Sequence, residues 1–254
     1  MEKQGKSRKS TSWEPVAPWY KGIVGDEGHY FHKQIILPGV KRLLKSSESV
    51  LDLACGNGIL SRQLLPSIQY HGIDLSPSLI KEAKQNTKST THSFSVADIT
   101  NPLITPAKAY SSAVCILAVQ NLSEPKLAFQ NAFNALVTKG IFIIVINHPC
   151  FRIPRQSSWQ IDDVKKIQYR RIDRYMSPLE VPIQTHPGKS STLSTLSYHH
   201  PLTDYVSWLN SAGFFIDTIE EWCSDKESTG KAARMENRAR DEFPLFMAIR
   251  SIKL

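Results

Sequence analysis

The run Val50-Leu51-Asp52-Leu53-Ala54-Cys55-Gly56-Asn57-Gly58 constrains this chain more than any other stretch. A β-prone segment that ends in a glycine turn, followed by Ile59, Leu60, Leu64 and Leu65 at helical spacing, predicts strand, tight turn and helix. Sixteen residues past Gly58, Gly72-Ile73-Asp74-Leu75-Ser76 ends a second β-prone run (69–74), and Ala97-Asp98-Ile99 follows a third (93–96). Three acids therefore stand at the carboxyl ends of three successive strands. Helices expected over 78–86 and 126–136 alternate with strands over 112–119 and 141–147, a pattern that predicts a parallel sheet covered on both faces.

In an open α/β sheet, ligands bind outside the carboxyl ends of the strands, where glycines let the backbone come close. An acid placed like Asp74 suits the two hydroxyls of a ribose. A dinucleotide fold would need a third glycine at 61, where Ser61 stands, and Asp52 beside a pyrophosphate would be repelled. The same Asp52 suits a ligand with an ammonium or sulfonium group. A cationic, adenosine-bearing ligand without phosphate describes S-adenosylmethionine.

On these motifs the sequence resembles the class I S-adenosylmethionine-dependent methyltransferases over residues 45–254. The resemblance implies a Rossmann-like, doubly wound sheet of seven strands with a terminal antiparallel hairpin, and Leu209 to Phe214 resembles the turn before that hairpin. It implies a cofactor site built from Asp52, Leu53, Ala54, Cys55, Gly56, Asn57 and Gly58 of the first turn, with the two glycines under the methionine moiety. Asp74, Leu75 and Ser76 would hold the ribose, while Ala97, Asp98 and Ile99 would meet the adenine. Leu117 would line the site, with Gln120 and Asn121 nearer the acceptor. Family members often begin the fourth strand with an acid, and here Ser111 and Ser112 stand there.

The flanking segments divide the chain into a basic, disordered tail (1–12), a lid or cap (13–44) and a methyltransferase domain (45–254) with an insertion at 148–200. In the lid, Tyr20, Tyr30 and His32 would contact the cofactor and exclude water; a Pro38-interrupted helix is expected over 30–44. His29 and His32 lie three apart, but without further ligands no metal site is expected. Past residue 147 the alternation lapses for about fifty residues before a helix at 202–212, a Gly213 cap and strands at 214–222 and 244–252, with a charged segment around 226–240 and no crossover helix between them.

Within the insertion, Ile161, Val164 and Ile167 interleave with charges at helical spacing, predicting a solvated helical face. His148 after the fifth strand is the candidate general base, and Arg152, His199 and His200 are candidates for the acceptor pocket. Cys150 could instead act as a thiolate nucleophile toward a base, although supporting motifs are lacking. The formal net charge of +8, with seven basic against three acidic residues over 151–174, leaves RNA a conceivable but unfavoured partner beside a small organic acceptor. A protein could also be the acceptor, or the chain could bind the cofactor without catalysing transfer. Apolar runs no longer than 114–119 and 141–146 fall far short of a membrane span, and widely spaced cysteines without a signal-like leader predict a cytoplasmic protein.

Overall fold

The computed structural model describes residues 13–25, 27–184 and 194–254. Its strands are β1 (Ser49–Leu53), β2 (Gln69–Asp74), β3 (His92–Val96), β4 (Tyr110–Ile116), β5 (Leu136–Asn147), β6 (Ser157–Asp162), β7 (Ile167–Ile172), β8 (Leu179–Gln184), β9 (Ser194–His199), β10 (Phe214–Trp222) and β11 (Phe246–Lys253). Its helices are α1 (Ala17–Val24), α2 (Leu37–Leu43), α3 (Pro77–Asn86), α4 (Pro125–Ala135), α5 (Leu202–Ser211) and α6 (Ala233–Glu242). Seven strands form one sheet in the order β3-β2-β1-β4-β5-β11-β10, in which β11 runs against both of its neighbours. This is the doubly wound sheet with a terminal antiparallel pair that the motifs imply. The order reverses between β1 and β4, which places a crevice outside their carboxyl ends.

Because successive strand residues point to opposite faces, continuously apolar strands feed two cores at once. Phe142, Ile144 and Ile146 pack with Leu51, Leu53, Phe129, Leu209 and Phe214 on the α4–α5 side. Ile143 and Val145 pack with Val50, Ile36, Val40 and Ile80 on the α2–α3 side. On that second side the chain negotiates Pro38 with a wide π turn at His32–Ile36, where the Leu37 N–H reaches back to the His32 carbonyl. Widening the turn accommodates the ring and the missing N–H of proline without breaking the rod.

Three expectations are corrected. The helix after Gly58 is only a 3-10 turn, Ser61–Gln63. The Ser61 hydroxyl donates to the Gly58 carbonyl at 2.8 Å, occupying a helical acceptor, and Pro66 stops the chain soon after. The amphipathic stretch around 161–167 is not helical; it is the end of the β6–β7 hairpin. There the Asp162 carboxylate accepts from the Val164 and Lys165 N–H groups, Lys166 takes a left-handed φ of 51°, and Val164 sits exposed at the tip. A second hairpin, β8–β9, fills the rest of the described insertion. Finally, the connection between β10 and β11 carries α6, whose following Phe243 packs edge-on against Phe151 and Trp159. The tail at 1–12 lies outside the described residues.

Gly213 ends α5 with φ 98°, and a Cβ there would sit 2.7 Å from the Phe133 ring. Gly213→Ala should cost about 1–3 kcal/mol from strain and contact. Thermal unfolding should register this as a Tm loss on the order of 2–10 °C.

Candidate active site

The turns that follow β1, β2, β3 and β4 converge on one cavity of about 270 Å³. Ala54 and Gly56 come from the first turn, Asp74 and Leu75 from the second, Ala97, Asp98 and Ile99 from the third, and Leu117, Gln120 and Asn121 from the fourth. These strand-end residues, named from the sequence, lie together around the cavity. His32, from the N-terminal segment, completes it.

The geometry is anchored by Asp74. Its Oδ2 accepts from the Gly56 N–H at 2.9 Å and its Oδ1 from the Ser76 N–H at 2.8 Å. The Leu75 N–H also bears on the carboxyl group, whose two oxygens still have acceptor capacity for a further donor. Burial raises the Asp74 pKa, and nearby Glu14 adds to the rise, against the lowering effect of those N–H groups. Two non-glycine residues in the wall hold left-handed backbone, Ala54 at φ 61° and Leu117 at φ 53°, a strain of about 1–3 kcal/mol each that the surrounding sheet sustains. Gly58 also needs its φ of 74°, and a Cβ there would meet the Phe94 ring at 2.9 Å.

Other expected residues stand behind the wall and hold it. Asp52 is 2% exposed and accepts from the Tyr70 hydroxyl at 2.6 Å. Burial pushes its pKa up to about 7, with a further push from Asp74, while the Tyr70 bond opposes the rise. Leu53 is core, and the buried Cys55 thiol is pushed up by the same burial. Asn57 donates to the Gly25 carbonyl at 3.0 Å and to Glu82 at 3.2 Å, tying the glycine turn to the N-terminal segment. Ser76 caps α3 by accepting from the Leu79 N–H, and its hydroxyl also bonds Glu14.

Several expected residues lie away from the cavity. His148 is buried, with Nε2 2.7 Å from Glu221, Nδ1 accepting from the Cys150 N–H at 3.2 Å, and its ring stacked on Phe151. Both nitrogens are spent on holding the start of the insertion. Arg152 lays its guanidinium over Phe246 and donates to the Leu245 carbonyl. His199 bonds the Tyr175 carbonyl, and His200 faces Asp204 and Trp208. Tyr30 is 39% exposed beneath Lys226, and the Tyr20 side chain lies outside the described residues.

In place of these, the outer wall is made by Trp13, Asn147, Ile183 and Ser197, with Leu79, Ile116, Ala118 and Leu122 adding apolar surface. Asn147 could have been found from the strand-end rule, since it closes β5 just before His148. Ile183 and Ser197 belong to the β8–β9 hairpin and carry no motif.

Residues 44–169 match the methyltransferase-domain family. That match makes residues 44–169 a methyltransferase domain. Comparison with curated proteins finds no match. Among solved structures, this methyltransferase is similar to an S-adenosylmethionine-dependent methyltransferase from Mesorhizobium loti, with 24% identity and a TM-score of 0.67 over 85% of this chain and 96% of that one. It is similar to a Haloferax volcanii methyltransferase in complex with the Trm112 activator, with 14% identity and a TM-score of 0.63 over 96% and 97%. A third likeness is the glycopeptide N-methyltransferase MtfA complexed with S-adenosylmethionine, with 13% identity and a TM-score of 0.57 over 85% and 92%. At these identities the likeness speaks for the fold.

The methyl donor of the class is S-adenosylmethionine, and the residues present fit it. Asp74 offers unused acceptor capacity at the end of β2, and Asp98 uses only Oδ1 on Thr100. The buried Oε1 of Gln120 has no partner.

The Asp52 shift has a stability consequence. The folded pKa of about 7 lies above the unfolded value near 3.8, so the contribution is complete below about pH 4 and is lost as pH rises toward 7. Asp52→Asn should therefore gain on the native chain by several degrees of Tm between pH 4 and 8 in the absence of ligand.

Proposed function

We propose that this methyltransferase moves the methyl group of S-adenosylmethionine to a small organic acceptor, at nitrogen, oxygen or carbon. The observation that carries the reading is the lining of the cavity: Trp13 and His32 of the N-terminal segment and Ile183 and Ser197 of the β8–β9 hairpin border it together with the strand ends, and its volume of about 270 Å³ is near that of a small-molecule site. When bound, the donor supplies an electrophilic methyl on a sulfonium. Asp74 holds the ribose hydroxyls, Asp98 and Ile99 receive the adenine, and the turn from Ala54 to Gly58 lets the backbone approach the methionine end. Gln120 and Asn121 stand on the acceptor side. The segment 13–44 acts as the cap that excludes water, so positioning supplies most of the acceleration.

The basic insertion gives less support to RNA as acceptor than its composition does. Arg170 donates to the Phe151 carbonyl and to Ser157 and lies over Trp159; Arg155 bonds the Pro182 carbonyl; Arg171 pairs with Asp173. These cations brace the hairpins. The four cysteines are unpaired, which supports a reducing, cytoplasmic compartment. No helix among the described residues is long and apolar enough to cross a membrane.

Calorimetric titration with S-adenosylmethionine, S-adenosylhomocysteine and NAD tests the cofactor assignment. The two sulfur nucleosides should bind and NAD should not. Asp74→Ala should weaken S-adenosylmethionine by roughly 10- to 100-fold, the worth of losing charge-assisted bonds to the ribose; unchanged affinity with the fold retained would remove Asp74 from the site. His148→Gln should leave the methyl-transfer rate and its pH profile unaltered while lowering Tm, because its ring nitrogens serve Glu221 and Cys150.

A further inference from the structure

The chain carries a net charge of +8, yet no lysine or arginine among the described residues lines the cavity. Its ionisable wall groups are Asp74 and Asp98, together with His32. Burial, with a smaller push from His29, lowers the His32 pKa to about 4, so its ring is a neutral partner at physiological pH. The Nδ1 of that ring is buried without a protein partner.

The turn after β4 sharpens the asymmetry. The Gln120 amide nitrogen donates to the Leu117 carbonyl at 2.9 Å, which fixes the carboxamide so that the other atom must be the oxygen. Asn121 turns its own amide nitrogen to the same carbonyl at 3.4 Å. Gln120 lines the cavity and is 9% exposed, and its Oε1 is left buried and unpartnered. A buried acceptor without a donor is destabilising, and a ligand N–H would remove that cost.

From this lining we infer that the methyl acceptor is an amine, held by an N–H to Gln120 Oε1 and methylated at nitrogen. The inference rests on the methyl-transfer reading of the same cavity and narrows its substrate class. The nitrogen lone pair forms the new C–N bond while the S–CH₃ bond breaks, its electron pair returning to sulfur as a neutral thioether. Positive charge passes from sulfur to nitrogen, and the methylated nitrogen then gives a proton to water. A cation is thus present in the cavity before and after transfer, which a wall of carboxylates and carboxamide oxygens stabilises throughout. A phenolate, alkoxide or carboxylate nucleophile would instead bring an anion into a cavity whose described lining holds no lysine or arginine to pair with it.

The test supplies radiolabelled methyl donor to the full chain with three mixed probe sets matched in size: primary and secondary amines, alcohols and phenols, and carboxylates. Label should enter the amine set alone. Label in the alcohol, phenol or carboxylate set, or in none of the three while calorimetry shows the donor bound, overturns the inference; failure of the donor itself to bind overturns the underlying methyl-transfer reading. On the best amine, Gln120→Met should raise KM about tenfold or more with the donor Kd within twofold. An equal loss of donor affinity would give Oε1 to the donor's own ammonium group and overturn the assignment.

Discussion

At the end of β2 a single buried carboxyl group takes the Gly56 N–H with one oxygen and the Ser76 N–H with the other. Through those two bonds the glycine turn after β1, the end of β2 and the cap of α3 share one geometry. The constraint is strong because both donors are backbone groups that would otherwise be unsatisfied, and because the carboxyl group is 8% exposed. The left-handed residues at Ala54 and Leu117 can persist only inside such a frame. Cavity shape, cofactor fit and acceptor placement all descend from it.

Beneath that frame lies a second acid, and the pair gives the sheet end an unusual electrostatic character. Asp74 adds to the cost of ionising Asp52, in a setting where only the Tyr70 hydroxyl and backbone amides answer the two carboxyl groups. The chain's many cations do not. Arg152 and Arg170 are laid on aromatic rings and backbone carbonyls, Arg42 is tied to Glu220, and Lys253 caps carbonyls of Phe133 and Leu136. Net charge and local potential therefore have opposite signs, which is why composition alone points toward anionic partners and the cavity does not.

What the sequence made legible follows the same physics. Strand ends and glycine turns could be read because close backbone approach and continuous apolar runs admit few residues, so β1 to β3 fall where expected, with Asp74 and Asp98 in the cavity wall and Asp52 behind it. The spacing of Ile59 to Leu65 misled because Ile59 and Leu60 reach the core beside a 3-10 turn as well as they would from a helix, while Leu65 stays exposed. Ile161, Val164 and Ile167 fit both a helix and a hairpin, and the choice was made by the Asp162 turn. His148 reads as a base by position, yet its partner Glu221 is 73 residues away and invisible to local pattern. Trp13, Ile183 and Ser197 reach the cavity by tertiary placement alone.

The attachment of the N-terminal segment carries a kinetic consequence. Glu14 grips the start of α3 through the Ser76 hydroxyl, the Ser78 N–H at 3.1 Å and the Ser78 hydroxyl at 2.5 Å, and Gly25 is held by Asn57. The two Ser78 bonds are exposed, while Ser76 and Asn57 hold the segment from buried positions in the strand-end wall and its helices. A ligand covered by this segment would leave at a rate set in part by these glutamate and serine contacts, which are not among the groups assigned to the reaction.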